Sequence, residues 1–523
     1  MGSLEPRTPA RSRRPDVVVI GAGGAGAALA ARLSEDSHRT VLVLEAGPLS
    51  PGPDLLDAHR IPGAQPGHPA TVTYQVQLTP ERRWRVPRGR VIGGSTTVNG
   101  GYFIRARHDD FARWSGAGNP AWAYDRVLPF LRRLETDLDY PAGALHGHHG
   151  PMLIRRTHLD HPASAAFGAA AGSLGFPHDP DKNDERSPGF GPVPCNVEAG
   201  IRRNTGLSYL PPEVQARPNL TIIGECRATR VITEHGHVTG VAVRHAGRQM
   251  LVPANSVVLS AGAFATPHLL LLSGIGPRAD LERLGIPVVR DAPAVGSRFS
   301  DHPQVVLEWQ PRHELGEISD SWLGGCLHLA SSDAAGGPGN LEILQSLAPL
   351  AALTGDTPTV GAAPLAFLVA DQTPQPTGTL RLRSADPDVL PSIDYGYLST
   401  PGSRRRLREA VRVTAEILDT SAFAAVSSGL SGPPPAVLRN DRALDAWIRA
   451  HLGTSQHTCG TAPMGSPDDP THTVADQYGR VHGVEGLRIA DTSLLPDAPQ
   501  RGPAATAVLI GEMIAHAIAH ALP

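Results

Sequence analysis

Three glycines near the start of the chain have the spacing that binds a dinucleotide. Gly21, Gly23 and Gly26 form a G-x-G-x-x-G turn, and Glu45 ends the next apolar run. Gly21 allows a tight turn, Gly23 lets the backbone approach a pyrophosphate at a helix N-terminus, and Gly26 lets the helix pack closely on the strand. Glu45 stands where a ribose hydroxyl would lie. The pattern predicts dinucleotide binding because a buried-type strand precedes it and an Ala-rich helix follows.

A second glycine-rich segment indicates which dinucleotide the chain binds. Residues 88–105 read R-G-R-V-I-G-G-S-T-T-V-N-G-G-Y-F-I-R. A double glycine followed by small hydroxyl residues suits close backbone approach to a flat ring and its ribityl-phosphate chain, and Asn99 adds an amide that can donate and accept. A glycine-rich surface loop is the alternative interpretation of this segment alone. Together with the first turn, the segment favours a flavin over a nicotinamide.

The regular elements around these motifs predict an α/β protein. Asp16 to Glu45 reads as a strand, a glycine turn, a helix and a second strand. Valine-rich alternation between Pro218 and Leu259 predicts short strands joined by hairpins, and strand-like patterns return between Val305 and Tyr397. Apolar periodicity and terminal residues predict four helices: Ala265 to Pro277, Arg404 to Leu418, Asp441 to His451 and Ala504 to Leu522.

Length and composition fit a soluble globular protein with two connected domains. The chain has 523 residues, of which 41% are hydrophobic and 19% charged, and it is too long for one small core. A net charge of −3 gives no reason to expect nucleic acid or an anionic membrane as a partner. Lys182 is the only lysine, which we interpret as the codon bias of a GC-rich genome.

Cysteine usage and hydropathy predict a cytoplasmic location. The four cysteines, Cys195, Cys226, Cys326 and Cys459, are far apart and form no C-x-x-C motif, so we expect neither a metal site nor a disulfide scaffold. No apolar stretch reaches the length of about eighteen residues that a membrane helix needs. We therefore expect no integral membrane segment, while peripheral contact with a membrane stays open. Residues 1–14 are expected to form a disordered polar extension.

At these motifs the chain resembles the glucose–methanol–choline (GMC) flavoprotein oxidoreductases. Gly89 to Phe103 is similar to the first signature of that family, G-R-x-I-G-G-S-T-x-V-N, and Gly262 to Pro277 is similar to the second. Further matches follow in order along nearly the whole chain: Gly118 to Trp122, His149 to Pro151, Val295-Gly296 with Asp301 to Pro303, Ser384 to Pro387, Val481 to Val484 and Asp491 to Ser493. An ordered series of this kind is highly specific.

The resemblance implies a Rossmann-like FAD-binding domain and a discontinuous α+β substrate domain built on a six-stranded antiparallel sheet. The FAD-binding domain is expected in three pieces, at residues 15–155, 201–304 and 453–523, and the last piece carries the catalytic histidine. The substrate domain is expected at residues 156–200 and 305–452.

The resemblance also implies which residues hold FAD. Carried over motif by motif, the contacts are Gly21, Gly23, Gly26, Glu45, Gly94, Ser95, Asn99, the backbone of Ala228 near the adenine, and Asp491. Some members of the family tether FAD through a histidine just before the asparagine. That position is Val98 in this chain, which cannot form the link, so noncovalent FAD is expected.

His457 is the predicted catalytic base. Flavin-dependent alcohol oxidation needs a group that takes the hydroxyl proton while hydride leaves carbon for flavin N5, and histidine titrates near neutrality. Among 23 histidines, His457 stands out because its segment H-T-C-G-T-A-P-M-G resembles the family's H-x-x-G-T-C-R-M-G.

The sequence leaves the partner of His457 open. The family normally supplies a second His or Asn further along the chain, and counting back from Leu509 to Glu512 places that position at Ala504. Alanine has no polar side-chain atom. Either the alignment slips by a few residues, or Gln500 or Arg501 substitutes, or the chemistry differs.

The leading hypothesis is an FAD-dependent dehydrogenase or oxidase that acts on a CH–OH group. Its donor would be a small-molecule alcohol or a reduced redox carrier, and its acceptor oxygen or a respiratory carrier. The Arg-dominated composition and the segment R-G-P-A-A-T favour the mycofactocin-associated branch, whose members are thought to reoxidise reduced mycofactocin, a peptide-derived carrier. The alternative is an FAD-containing non-redox lyase of the hydroxynitrile lyase type. A third hypothesis is an FAD-binding protein that has lost activity.

Overall fold

A parallel sheet of five strands carries the first glycine turn in the computed structural model. The structure describes residues 14–141, 143–186, 188–333, 337–355 and 363–522, so most of the expected N-terminal extension lies outside the described residues. From edge to edge, the strands are Leu220–Ile223, Val41–Leu44, Val17–Ile20, Val257–Leu259 and Leu487–Ile489. Short, almost wholly apolar runs are typical of parallel strands covered on both faces. The sheet thus joins three distant stretches of chain.

Two helices from opposite ends of the chain pack against each other beside the glycine turn. Gly24–Leu33 follows the turn, and Ala504–Ala519 confirms the predicted C-terminal helix. Their contact includes the fully buried carboxylate of Glu512, which pairs with Arg32 at 2.9 Å and accepts a hydrogen bond from the Tyr209 hydroxyl at 2.7 Å. A buried carboxylate costs little when it is paired and hydrogen-bonded in this way.

The second large sheet is antiparallel, and we call it the substrate sheet. In spatial order its main strands are Ser427–Leu430, Pro303–Pro311, Leu365–Asp371, Leu341–Ser346, Leu323–Leu329 and Phe190–Pro192. A short strand, Gly453–Thr454, pairs with the start of Pro303–Pro311. The predicted α/β class with an additional antiparallel sheet is confirmed.

Helices pack against the substrate sheet. Pro401–Asp419 lies on strands Leu341–Ser346 and Leu365–Asp371, and Pro162–Ser173 lies on Leu323–Leu329. Pro401–Asp419 contains the predicted helix between Arg404 and Leu418, with Leu407, Val411 and Leu418 on its buried side. The predicted helix Asp441–His451 is also confirmed.

The segment that follows the strand Leu220–Ile223 forms an antiparallel meander, as the valine-rich pattern predicts. Its strands are Cys226–Glu234, His237–His245 and Arg248–Pro253. The helix predicted to run to Pro277 is shorter, Ala265–Leu272. It stops because Gly274 takes a left-handed conformation, with φ +81°, which ends an α-helix, and Ile275–Gly276 then forms a short strand.

The remaining elements are short or peripheral. A small sheet combines Thr71–Thr79, Arg82–Gly89, Thr379–Arg381 and Ser392–Asp394. Other helices are Pro53–Leu56, Ser95–Val98, His108–Gly116, Tyr124–Leu134, Thr205–Tyr209, Pro212–Gln215, Arg278–Arg283, Leu350–Thr354, Ser421–Ala424 and Pro435–Leu438. Other strands are Glu135–Asp137, Met152–Arg156, Pro194–Cys195, Val197–Glu198, Ile201–Arg202 and Arg290–Asp291. Within the described ranges, every helix is too short or too polar to cross a membrane.

Candidate active site

The two glycine clusters meet at the edge of the parallel sheet. Gly21 has φ +101°, and a Cβ there would lie 2.5 Å from the carbonyl oxygen of Ser260, so only glycine suits the turn. A Cβ on Gly94 would lie 2.7 Å from the Cα of Gly23. Gly26 packs against the carbonyl of Gly21, as its predicted role requires. The clusters therefore form one backbone-lined cradle, which side chains at these positions would fill.

The helix that leaves the cradle is suited to an anion. Gly24–Leu33 has no side-chain hydrogen bond capping its N-terminus and no acidic residue in its first turn. Its first N–H groups therefore retain their capacity to donate, and the helix dipole favours negative charge there. A pyrophosphate is the group that such a glycine-lined helix start accepts, so these residues fit the dinucleotide that the sequence predicts.

Glu45 lies at the end of its strand beside the same turn. Its carboxylate accepts hydrogen bonds from the backbone N–H of Ala22 at 2.8 Å and of Gly47 at 2.9 Å. Burial raises the pKa of Glu45, while these N–H donors oppose the shift. The carbonyl of Glu45 accepts from the N–H of Cys226 at 2.8 Å, which brings the strand containing Ala228 alongside. The two predicted FAD contacts are thus neighbours in the fold.

The second glycine cluster presents small polar side chains. Ser95 is exposed between the buried residues Gly94 and Thr96, and its hydroxyl accepts from the N–H of Gly89 at 3.2 Å. The Asn99 amide oxygen accepts from the N–H of Gly101 at 3.0 Å, which holds the turn after the short helix. The predicted contacts Ser95 and Asn99 therefore lie on one segment beside Gly23.

Asp491 links the last strand of the parallel sheet to the second signature. One carboxylate oxygen accepts from the N–H of Gly262 at 2.9 Å and from the Thr266 hydroxyl, and the other accepts from the N–H of Ser493 at 2.9 Å. The side chain is 4% exposed. Asp491 thus positions the backbone of two motif segments. Because both carboxylate oxygens already accept hydrogen bonds within the protein, the backbone that they position is as well placed to contact FAD as the carboxylate itself.

His457 lies in a loop held by Asp301. The Asp301 carboxylate accepts from the backbone N–H of His457 at 3.0 Å and from the hydroxyls of Thr454 and Thr458. Burial lowers the pKa of His457 to about 4; Asp301 opposes the shift and Arg88 adds to it. The imidazole is therefore neutral at neutral pH, which is the form that can accept a proton.

A second histidine contacts His457. The Nδ1 atoms of His302 and His457 are 2.9 Å apart, and their rings meet edge to face. Burial, together with His457, holds the pKa of His302 well below its usual range. One neutral ring therefore donates to the other, and the Nε2 of His457 remains free of this contact. Sequence reasoning gave His302 no role, although the match Asp301 to Pro303 contains it.

Gly502, two residues before Ala504, lies beside His457. A Cβ on Gly502 would lie 3.4 Å from the His457 Nε2 and 3.7 Å from the side chain of Ile104. Ala504 comes two residues later, at the start of the last helix. Like Ala504, Gly502 supplies no polar side-chain atom, and the residue before it is Arg501.

A cluster of buried polar residues from the substrate sheet and the adjoining loops lies near this segment, and we call it the Arg501 cluster. It consists of Tyr102, Cys326, His328, Glu342 and Arg501. The Glu342 carboxylate contacts His328 Nε2 at 3.0 Å and the Tyr102 hydroxyl at 3.3 Å. Cys326 and His328 share a strand face because they are two residues apart, a signal that sequence reasoning missed.

The Arg501 cluster also contains three potential metal ligands. The ligand atoms of Cys326, His328 and Glu342 lie within 4.8 Å of one another. The sequence predicts no metal site, and the positive charges of Arg501 and Lys182 act on these groups. Two nearby cations oppose the binding of a third, so the cluster is better suited to a negatively charged ligand than to a metal ion.

Comparisons with known proteins agree with these motifs. The N-terminal GMC oxidoreductase model matches residues 16–304 and the C-terminal model matches residues 374–511. An uncharacterized GMC-type oxidoreductase from Rhodococcus erythropolis is 38% identical over 95% of this chain and 97% of its own length. An oxygen-dependent choline dehydrogenase from Rhizobium rhizogenes is 34% identical over 96% of this chain and 94% of its own length.

Solved structures share the fold. The crystal structure of pyridoxine 4-oxidase from Mesorbium loti superposes with a TM-score of 0.87 at 27% identity, covering 97% of this chain and 99% of that one. Formate oxidase from Aspergillus oryzae has a TM-score of 0.88 at 24% identity and covers 97% of this chain and 98% of its own, a likeness of fold alone. The chain belongs to the GMC oxidoreductase family and is an FAD-dependent alcohol oxidoreductase of that family.

Proposed function

We propose that the protein oxidises a CH–OH group by hydride transfer to noncovalently bound FAD, with His457 as the base. The observation that carries the proposal is the position of His457. Its Nδ1 contacts His302 at 2.9 Å, while its Nε2 lies beside Gly502, where an added Cβ would be 3.4 Å away. A neutral imidazole with one nitrogen engaged and the other open can take a hydroxyl proton.

The proposed site holds its base rigidly. Asp301 fixes the backbone of His457 at 3.0 Å, and His302 fixes the ring through Nδ1. When the hydroxyl proton reaches Nε2, the nearby Asp301 carboxylate favours the resulting imidazolium, since this charge acts to raise the pKa of His457. Positioning of this kind reduces the entropy lost on reaching the transition state.

FAD is proposed to occupy the glycine cradle and to supply the hydride-accepting ring. The uncapped helix start after Gly23 would hold its pyrophosphate, with Glu45 and the Ala228 backbone towards the adenosine half. Gly94, Ser95 and Asn99 would lie along the flavin half. Val98 has only methyl groups at the position where some relatives form a covalent tether, which supports noncovalent binding.

The proposed two-domain division follows the two sheets. Residues 15–155, 201–304 and 453–523 would form the FAD-binding domain, and residues 156–200 and 305–452 the substrate domain. The parallel sheet takes all its strands from the first set, and the main strands of the substrate sheet begin at Phe190 or lie between Pro303 and Leu430. Limited proteolysis with and without FAD would show whether cleavage sites fall at these boundaries.

Anaerobic mixing with alcohols tests the proposed reaction. Candidate donors include choline and pyridoxine, which the names of related proteins suggest, together with aryl and aliphatic alcohols. Loss of the oxidised-flavin absorbance on mixing would support hydride transfer. Cleavage of a cyanohydrin while the flavin stays oxidised would instead support the lyase hypothesis, and no change with any compound would support a protein that has lost activity.

The electron acceptor and the mycofactocin assignment stay predictions. If the protein reoxidises reduced mycofactocin, the flavin should be reduced quickly by that carrier and slowly by simple alcohols, and the reduced flavin should react slowly with oxygen. Fast reoxidation by oxygen after reduction with a simple alcohol would contradict this assignment. Fractionation of the native cells would test the predicted cytoplasmic location and any peripheral membrane contact.

A further inference from the structure

Arg501 is a buried cation with few partners. It is 1% exposed, and one terminal nitrogen donates to the carbonyl oxygens of Gly339 at 2.8 Å and Gln500 at 2.7 Å. Its Nε has no hydrogen-bond partner. Among the residues that the structure describes, no carboxylate lies within 4 Å of the guanidinium. A charge buried in a protein is normally paired, so Arg501 departs from the usual arrangement.

The groups around Arg501 do not supply the missing negative charge. Glu342 is near enough to act on Arg501 electrostatically but makes its short contacts with His328 and Tyr102. Burial raises the pKa of Glu342, which favours its neutral form, while Arg501 opposes this shift. Arg107 adds a further positive charge, and although Asp110 also acts on Arg501 electrostatically, its carboxylate pairs with Arg113 at 3.0 Å. The surroundings of Arg501 therefore favour a ligand that brings its own negative charge.

The loop that carries Arg501 is held in place from three sides. The N–H of Gln500 donates to the carboxylate of Asp110 at 3.0 Å, and the N–H of Ala498 donates to the hydroxyl of Ser300 at 2.6 Å. Asp497 pairs with Arg113 at 2.9 Å. These contacts are independent of the Arg501 side chain, so they keep the loop in place whichever ligand is bound.

Arg501 is next to the proposed base. It directly precedes Gly502, which faces the His457 Nε2, and its charge acts on His302, the partner of His457. Tyr102, whose hydroxyl reaches Glu342, is three residues beyond Asn99 on the segment proposed to lie along the flavin. The Arg501 guanidinium thus lies in the same region of the fold as the proposed base and the proposed flavin segment.

We propose that Arg501 binds the carboxylate of the substrate, so that the site takes hydroxy acids, alcohols that carry a carboxylate group. The inference rests on the proposed function, because it names the substrate class of the same site. A guanidinium is planar and can donate two parallel hydrogen bonds to a carboxylate. The bound carboxylate would compensate the buried charge, and its position would bring the CH–OH group towards His457. A cationic alcohol such as choline would meet repulsion at this position.

Matched substrates test the proposal. Two pairs differ only in charge: glycolate with glycolamide, and 4-(hydroxymethyl)benzoate with 4-(hydroxymethyl)benzamide. In anaerobic stopped-flow mixing, we expect at least one acid to reduce the flavin of the wild-type holoenzyme with an apparent Kd about 10- to 100-fold lower than its amide, as expected for a charge-assisted hydrogen bond. If both amides reduce the flavin with the same apparent Kd as their acids, or if choline does so, the proposal is wrong.

Variants assign the preference to Arg501. Arg501→Gln should bring the ratio of the apparent Kd values for amide and acid close to one. Arg501→Lys should leave an intermediate ratio, because lysine keeps the positive charge but cannot donate two parallel hydrogen bonds. Arg248→Gln, which replaces an exposed arginine, serves as the matched control and should retain the wild-type ratio. An unchanged ratio in folded Arg501→Gln or Arg501→Lys would overturn the assignment.

A binding experiment separates this proposal from the proposed reaction. Acetate and benzoate carry no alcohol, so their binding does not depend on turnover. Either anion should raise the melting temperature of the holoenzyme more than acetamide or benzamide does, and Arg501→Lys should reduce this difference. If anions stabilise the protein but no alcohol reduces the flavin, the proposed function fails and the anion site stands. If neutral alcohols reduce the flavin and no anion binds, the anion site fails and the proposed function stands.

Discussion

Buried charges are arranged differently in two regions of the molecule. The first region, which we call the ion-pair network, consists of Arg105, Glu135, Asp137, His146, Arg156 and Asp181. The second is the Arg501 cluster beside the His302–His457 pair. Both are shielded from solvent. In the network every charged group has a partner of opposite charge, whereas the guanidinium of Arg501 has only carbonyl partners among the described residues.

The ion-pair network balances three acids with three bases. Arg156 contacts Asp137 and Asp181 at 2.5 Å each, and His146 contacts Asp181 at 2.7 Å. Burial lowers the pKa of His146, but the hydrogen bonds to Asp137, Asp181 and Glu135 outweigh this effect and raise it to about 10. The histidine is therefore charged at neutral pH. A network whose charges are compensated within the chain needs no ligand.

The unpaired charge of Arg501, unlike the paired charges of the network, is available to interact with another molecule. A compensated network contributes to the stability of the fold, and breaking it should affect unfolding. A buried cation without a counter-ion lowers stability in the free protein and becomes favourable when an anion binds. Changes in the two regions should therefore separate into effects on unfolding and effects on substrate.

The largest expected effect is on the rate of reaction. His457→Ala removes the proposed base, so anaerobic flavin reduction by an active alcohol should slow by about 10²- to 10⁴-fold, with little change in the free energy of unfolding. His451→Ala, an exposed histidine in the preceding helix, is the control and should keep the wild-type rate. A rate within twofold of wild type for folded His457→Ala would refute the assignment of the base.

The next effect concerns the ion-pair network. Asp137→Ala leaves Arg156 and His146 short of a carboxylate, and removing one partner from a buried pair costs about 3–5 kcal/mol in the free energy of unfolding. Urea denaturation measures this loss. The exposed Asp468→Ala should change stability by less than about 0.5 kcal/mol. If Asp137→Ala costs no more than this control, the proposed contrast between the two regions is lost.

The pH dependence of stability should also come from the network. The folded pKa of His146, about 10, lies above its unfolded value of about 6.5. Its contribution is therefore complete below about pH 6.5 and disappears as the pH rises towards 10. We expect the wild-type free energy of unfolding to fall by about 4–5 kcal/mol between these limits. His146→Gln should lack this part of the decrease, and parallel curves for the two proteins would contradict the expectation.

At low pH the acids of the network act in the opposite direction. The contacts with His146 and Arg156 outweigh burial and lower the pKa of Asp137 and of Asp181. Their contribution is present above the unfolded value of about 3.9 and is lost as the pH falls through the folded values. The same urea titrations, extended to acid pH, therefore measure both the loss of stability at high pH and the loss at low pH.

The smallest expected effect is at the position that faces the base. Gly502→Ala places a methyl group 3.4 Å from the His457 Nε2, an ordinary contact that needs no backbone change. Because this methyl occupies space proposed for substrate, flavin reduction should slow about tenfold with unchanged stability. At Gly116 an added Cβ meets nothing within 4 Å, so Gly116→Ala is the control. Equal rates for the two variants would show that Gly502 does not border the substrate.

The glycine turn and its parallel sheet could be predicted from the sequence because each requirement is local. Gly21 needs a conformation that other residues rarely adopt, and its flanking strand is apolar throughout. The helices Asp441–His451 and Ala504–Ala519 were likewise visible in the spacing of their apolar residues. The end of the helix at Leu272 was missed because one left-handed glycine, Gly274, outweighs the apolar residues around it.

The family, the cofactor cradle and the identity of the candidate base could be read from the amino-acid sequence, since all three depend on residue types at short spacing. The surroundings of that base depend on the folded structure. His302 meets His457 across 155 positions of chain, and Gly502 lies beside it, because loop packing sets these contacts. The lack of a counter-ion at Arg501 is also a property of the fold, since an unpaired charge is defined by everything within a few ångströms of it.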